Sequence, residues 1–171
     1  MRVYADLLVD ALSRHAPEIE TQLLELEPHR QASAWRQRAS TLTLPWRARR
    51  LNDIKPDLWH VLDGSRAYVS AGLHSAPVVI TAHDIIPVLQ QAGRFPGAPP
   101  TGRAAHWLWR RNGRSMRDAD VLVCDSESTR RDVSSAYGVP DQTRVVPLPI
   151  RPALTDAVSP QAGAVREQGL V

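Results

Sequence analysis

The chain has 171 residues, 43% hydrophobic and 23% charged, enough for one domain that buries roughly two-thirds of its extended surface. A net charge of +3, with Lys55 the only lysine among 21 basic residues, is too small to argue for a nucleic-acid partner. The single cysteine, Cys124, excludes an internal disulfide and suits a reducing compartment. No basic-then-apolar leader opens the sequence and no apolar run approaches the roughly 18 to 20 residues of a membrane span, so a soluble cytoplasmic protein is expected.

The first element is a helix, since Val3, Tyr4, Leu7, Leu8, Ala11 and Leu12 recur at helical spacing before Pro17. Ile19 to Leu26 alternates in part and is expected as a strand; Pro28 to Thr41 is polar and reads as loop with a short helix. Pro45 suits the first turn of a helix over Trp46 to Ile54, with Arg47, Arg49 and Arg50 toward solvent, and Lys55-Pro56-Asp57 breaks it. Leu58 to Leu62 is the next strand, Asp63-Gly64-Ser65 a turn, Tyr68 to Leu73 a short helix, and Val78-Val79-Ile80 the most apolar strand. No repeat or low-complexity tract occurs. Strands alternating with helices indicate an α/β fold with a parallel sheet.

The loop Thr81-Ala82-His83-Asp84-Ile85-Ile86-Pro87 carries the densest chemistry. At a strand's carboxyl edge His83 can bind a hydroxyl or phosphate while Asp84 fixes backbone amides; the plain alternative is a loop histidine bonded to a carbonyl beside an aspartate cap. His60 lies within its strand and is expected to pack. His60, Asp63, His83 and Asp84 form no recognised ligand pattern, so no metal is expected. After this loop, Arg94 to Pro100 is a Pro/Gly-rich connector that can act as a lid.

Helix geometry, about 100° per residue, puts Arg103, Arg110, Arg114 and Arg117 within an arc of roughly 60° and Ala105, Leu108, Trp109, Met116 and Ala119 opposite. Trp107 falls among the arginines, not on the apolar side. An exposed tryptophan in a cationic stripe suits anionic lipid headgroups or a phosphorylated partner; the alternative is a solvated basic face with Trp107 under a loop.

Residues 119–149 read as one strand, helix, strand unit. Val121-Leu122-Val123 is the strand and Cys124 its last, small buried residue. Asp125 and Ser126 offer caps to the following helix and Glu127 an anion to its first turn. Gly138 and Pro140 end the helix, and Arg144, Val145 and Val146 begin the last strand. In a doubly wound sheet the turn after a strand's carboxyl end lines the ligand site, so Cys124 to Thr129 is a candidate wall.

In this order, KPDLWHVLDG (residues 55–64), VVITAHDIIP (78–87) and ADVLVCDSESTRRDVSSAYGVPDQTRVVPLPI (119–150) resemble the N-terminal half of family 4 glycosyltransferases, enzymes of the GT-B architecture with two Rossmann-like domains. The resemblance implies a Rossmann-like N-terminal, acceptor-side domain over residues 1–152 and a linker over 153–171. It implies retaining transfer of a sugar from a nucleotide-sugar donor to an acceptor, with no metal or other cofactor. On this carry-over His83 is catalytic and faces the donor sugar, while Asp84, Ser126 and Glu127 line the same cleft. The family begins with a strand and a glycine-rich loop ahead of the first helix, and a second domain holds most of the nucleotide. Neither is found here, so the chain reads as truncated at both ends, inactive alone and prone to associate through an unpaired strand edge. It could be a truncated product, a fragment or one part of a split enzyme.

The rival reading is a non-catalytic binding module that contacts an anionic membrane at the inner face, or a partner, through Trp107, Arg110, Arg114 and Arg117. A small nucleotide-binding or hydrolytic enzyme lacks support, because no P-loop, G-x-G-x-x-G or G-x-S-x-G occurs.

Overall fold

The structure, a computed structural model, describes residues 2–26, 43–97, 102–139 and 141–148. Helix α1 spans Arg2–His15. It ends where Pro17 has no amide hydrogen to continue it, and the last turn is closed by the Ala16 N–H to Leu12 O bond at 2.8 Å. Residues 43–49 form α2, continued by a 3-10 turn over Arg50–Asp53. Leu44 and Ala48 are buried on it while Arg47, Arg49 and Arg50 are exposed. Lys55 then adopts a left-handed backbone, φ 51°, which breaks the helical run ahead of the first strand.

Four short parallel strands follow in sequence order across one sheet: β1 (Trp59–Val61), β2 (Val78–Ala82), β3 (Val121–Cys124) and β4 (Thr143–Val145). Their register aligns Val61 with Ile80, Ile80 with Leu122, and Leu122 with Thr143. Ile80 and Leu122 at the centre are fully buried, as apolar strands covered on both faces should be. A 3-10 helix over Gly64–Gly72 joins β1 to β2; it starts earlier than the expected Tyr68 because the Asp63 carboxylate accepts the Ser65 N–H. Helices α3 (Ile86–Gln91) and α4 (Arg103–Arg117) join β2 to β3, and α5 (Glu127–Tyr137) joins β3 to β4. The core comprises Leu44, Trp59, Tyr68, Ile80, Leu122, Val133 and their neighbours.

The expected strand over Ile19 to Leu26 is not formed: these residues carry no strand pairing. A strand exists by bonding to a neighbour, and among the described residues no segment pairs with the outer edge of β1. The segment instead lays Leu24 and Leu26 partly on the core and leaves Ile19 and Leu23 exposed. The expected loop after β2 is also shorter than its sequence suggests, because Thr81 and Ala82 complete the strand and Ile86 and Pro87 open α3. The helical part of Pro28 to Thr41, residues 98–100 of the connector, Pro140 and the linker over 153–171 lie outside the described residues.

Candidate functional site

The pairing of Ala82 with Cys124 sets the site. One residue further along, His83 and Asp125 leave the carboxyl ends of β2 and β3 side by side. His83 Nδ1 lies 3.6 Å from Asp125 Oδ2, both side chains being more than four-fifths buried. Its Nε2 is 3.1 Å from the Leu62 carbonyl at the end of β1, so the ring spans three strands and each of its nitrogens faces an oxygen acceptor. The Tyr4 ring of α1 meets the imidazole edge-on, centroids 4.8 Å apart at 83°, and Tyr4 Oη is 3.4 Å from Thr81 Oγ1.

A second set of bonds ties this pair to α5. Ser126 is the N-cap of α5 and its Oγ accepts the Thr129 N–H at 3.1 Å, which satisfies one of the helix's unpaired first-turn donors. The Thr129 hydroxyl, buried, sits 2.9 Å from Asp125 Oδ1 and 3.1 Å from the His83 carbonyl, with Ser126 Oγ 3.0 Å away. Thr129 thus clamps the two loops together with a single hydroxyl. Its single proton is divided between the carboxylate and the carbonyl, and Ser126 donates to the Thr129 oxygen.

His83 and Ser126 are therefore brought into one cluster. Asp84 turns outward: it is exposed, and its Oδ1 accepts the Ile86 N–H at 3.0 Å to shape the entry to α3. Glu127 is exposed at the start of α5 with Arg130 at 2.8 Å. Asp125, Thr129 and Tyr4 also belong to the cluster, though the sequence singled out none of them as a site residue by itself. Asp125 and Thr129 were signalled as part of the capping turn and of the candidate wall from Cys124 to Thr129, without individual roles, and Tyr4 only as one position of an apolar helical face. His60 packs within β1, its Nε2 2.8 Å from Thr81 Oγ1, and burial lowers its pKa. Cys124 is fully buried, and burial, reinforced by the Asp125 charge, pushes its thiol up to about 11; it is inert at neutral pH.

Trp107, Arg110, Arg114 and Arg117 lie on α4 and stand apart from this cluster. They border an open depression of about 1400 Å³ that reaches Val78 and Asp120 at the amino ends of β2 and β3, away from His83. Among the described residues no group of three or more His, Cys, Asp or Glu could hold a metal ion, and no helix is long and apolar enough to cross a membrane.

No curated protein matches the chain, and no solved structure does. A sequence profile described as Glycosyltransferase Family 4, by contrast, matches residues 6–154. That span takes in every strand of the sheet and both of the turns that meet at His83 and Thr129, so cluster and fold come under one assignment: the chain belongs to Glycosyltransferase Family 4 and carries a glycosyltransferase-type α/β domain.

Proposed function

We propose that this chain acts as the acceptor-side half of a GT-B enzyme that moves a sugar from a nucleotide donor to an acceptor hydroxyl with retention and without a metal ion. The observation that carries this reading is the convergence of His83 and Ser126, through Asp125 and Thr129, on the carboxyl ends of β2 and β3. That is the edge at which open parallel sheets hold ligands. His83 is the catalytic group in this reading. Its ring is oriented between Asp125 and the Leu62 carbonyl at the sheet's carboxyl edge, where this reading has it meet the sugar. Ser126, Asp84 and Glu127 supply further polar contacts to the sugar.

The cluster is one wall, with Asp84 and Glu127 open to solvent. Transfer depends on stabilising the transition state in a closed, water-poor cleft, so turnover is proposed to require a second, nucleotide-holding domain, and the chain alone to be inactive. The compartment proposed is the cytoplasm, where the lone Cys124 stays reduced.

Joining the chain to a family 4 nucleotide-binding domain should give measurable nucleotide-sugar turnover that the chain alone lacks. In that assembly His83→Ala should lower turnover by roughly 100-fold or more while changing stability by about 1 kcal/mol. Normal turnover combined with much earlier melting would mean that His83 only braces the loops.

A further inference from the structure

Arg103, Arg110, Arg114 and Arg117 form a straight row along α4, about 21 Å long at the helical rise of about 1.5 Å per residue. Trp107 stands in the row with 50% of its surface exposed, and the Arg111 guanidinium lies 5.4 Å from its ring centroid. Among the described residues Arg103, Arg110 and Arg114 make no ion pair, and Arg117 reaches only the adjacent Asp118, at 3.4 Å. Asp120, the other carboxylate on the border of the depression, is engaged by the Val78 N–H at 2.7 Å. The segments outside the described residues contribute Glu27, Asp156 and Glu167 against Arg30, Arg36, Arg38, Arg151 and Arg166, so they bring no acidic excess to cover the row.

We propose that this face of α4 docks the protein on an anionic lipid bilayer. A plane of headgroups meets a straight row of like charges along its whole length, and each well-placed arginine adds to the attraction. An indole exposed between guanidinium groups suits the headgroup zone, where one end of a ring is apolar and the other wet. The apolar side of α4 faces the domain, so contact is peripheral and leaves the helix packed. Docking here also leaves the carboxyl ends of the strands, with His83 and Ser126, uncovered. It needs neither a second domain nor turnover, and it is therefore tested on the chain as it stands.

The test is co-sedimentation with vesicles of phosphatidylcholine alone and of phosphatidylcholine containing about one-third phosphatidylglycerol. Binding to the anionic vesicles should be at least about tenfold stronger and should weaken as salt is raised. Arg110→Glu with Arg114→Glu should reduce it about tenfold or more, and Trp107→Ala severalfold. Arg47→Glu with Arg49→Glu, on α2, should leave it unchanged. Circular dichroism verifies that each variant is folded; if the double reversal is not, Arg110→Gln, which keeps a polar side chain, decides by the same readout. Equal binding of wild type and stripe variants, equal binding to both vesicle types, an equal loss in the Arg47 and Arg49 variant, or retention on single-stranded RNA with none on vesicles would each overturn the proposal.

Discussion

His60 shows how a titratable residue inside a strand ties stability to pH. Its Nε2 meets Thr81 Oγ1 at 2.8 Å, and burial lowers its pKa from the ordinary 6.5. As pH falls, the unfolded chain therefore takes up the proton before the folded one does. The contribution to stability is complete above about 6.5 and is lost progressively as pH drops toward the folded value. The melting temperature should fall between about pH 7.5 and pH 5.5, and His60→Gln, which keeps a polar partner for Thr81 but cannot titrate there, should flatten that part of the profile. A variant whose profile follows wild type throughout would rule out His60 as the source. The neighbouring histidine, His83, differs in its surroundings. Its two nitrogens meet oxygens of two other strand ends, which is what makes it a candidate for chemistry and leaves His60 a half-buried packing residue of β1.

Helix α4 packs on the 3-10 helix over Gly64–Gly72 and on α5, and it does so through residues that an apolar pattern passes over. Asn112, buried, accepts the Tyr68 N–H at 3.0 Å and donates to the Ser65 carbonyl at 2.9 Å, which ties α4 to the backbone of the 3-10 segment through one side chain. Gly113 lets α5 approach: a Cβ there would stand 2.2 Å from two ring carbons of Tyr137. Asn112→Ala should cost about 1 to 3 kcal/mol by removing both of its hydrogen bonds to the 3-10 segment, and Gly113→Ala about 2 kcal/mol or more by overpacking. Arg110→Ala, on the opposite side of the helix, should stay within about 0.5 kcal/mol. Urea melts would check the order, and an Asn112→Ala as stable as Arg110→Ala would contradict it. This contrast marks what the sequence made legible. Apolar runs located β1 to β3, the Ser126 cap and Gly138 bounded α5, and the wheel separated the arginines of α4 from Met116. The docking through Asn112 and Gly113, and the clamp of Asp125 and Thr129 on His83, depend on distances between elements far apart in the chain, which no local pattern encodes. The alternation in Ile19 to Leu26 misled for the same reason, since a strand needs a partner in space as well as a period in sequence.

At the scale of the whole molecule the sheet is asymmetric in its protection. The Trp59 N–H bonds to the Pro77 carbonyl at 2.9 Å, so in this parallel ladder Trp59 and Val61 direct their backbone groups toward β2, and His60 directs its N–H and C=O to the outer edge. Among the described residues no strand occupies that edge. Leu58, which leads into β1, is 50% exposed, and Ile54 and Trp46 are 45% and 64% exposed on the segment before it. An edge strand with free backbone groups and no charge of its own next to apolar surface is a template for pairing with another chain. Self-association at this edge should therefore rise with protein concentration, read by sedimentation velocity as a shift of mass from monomer to dimer or larger species. Leu58→Lys places a charge at the edge at a half-exposed position, and it should return the protein toward monomer while changing the melt by about 1 kcal/mol or less. Arg110→Glu with Arg114→Glu alters only α4 and should not affect association. A monomer that persists at every concentration would show that the β1 edge is covered by residues of the chain itself, and association that survives Leu58→Lys would move the contact to another surface.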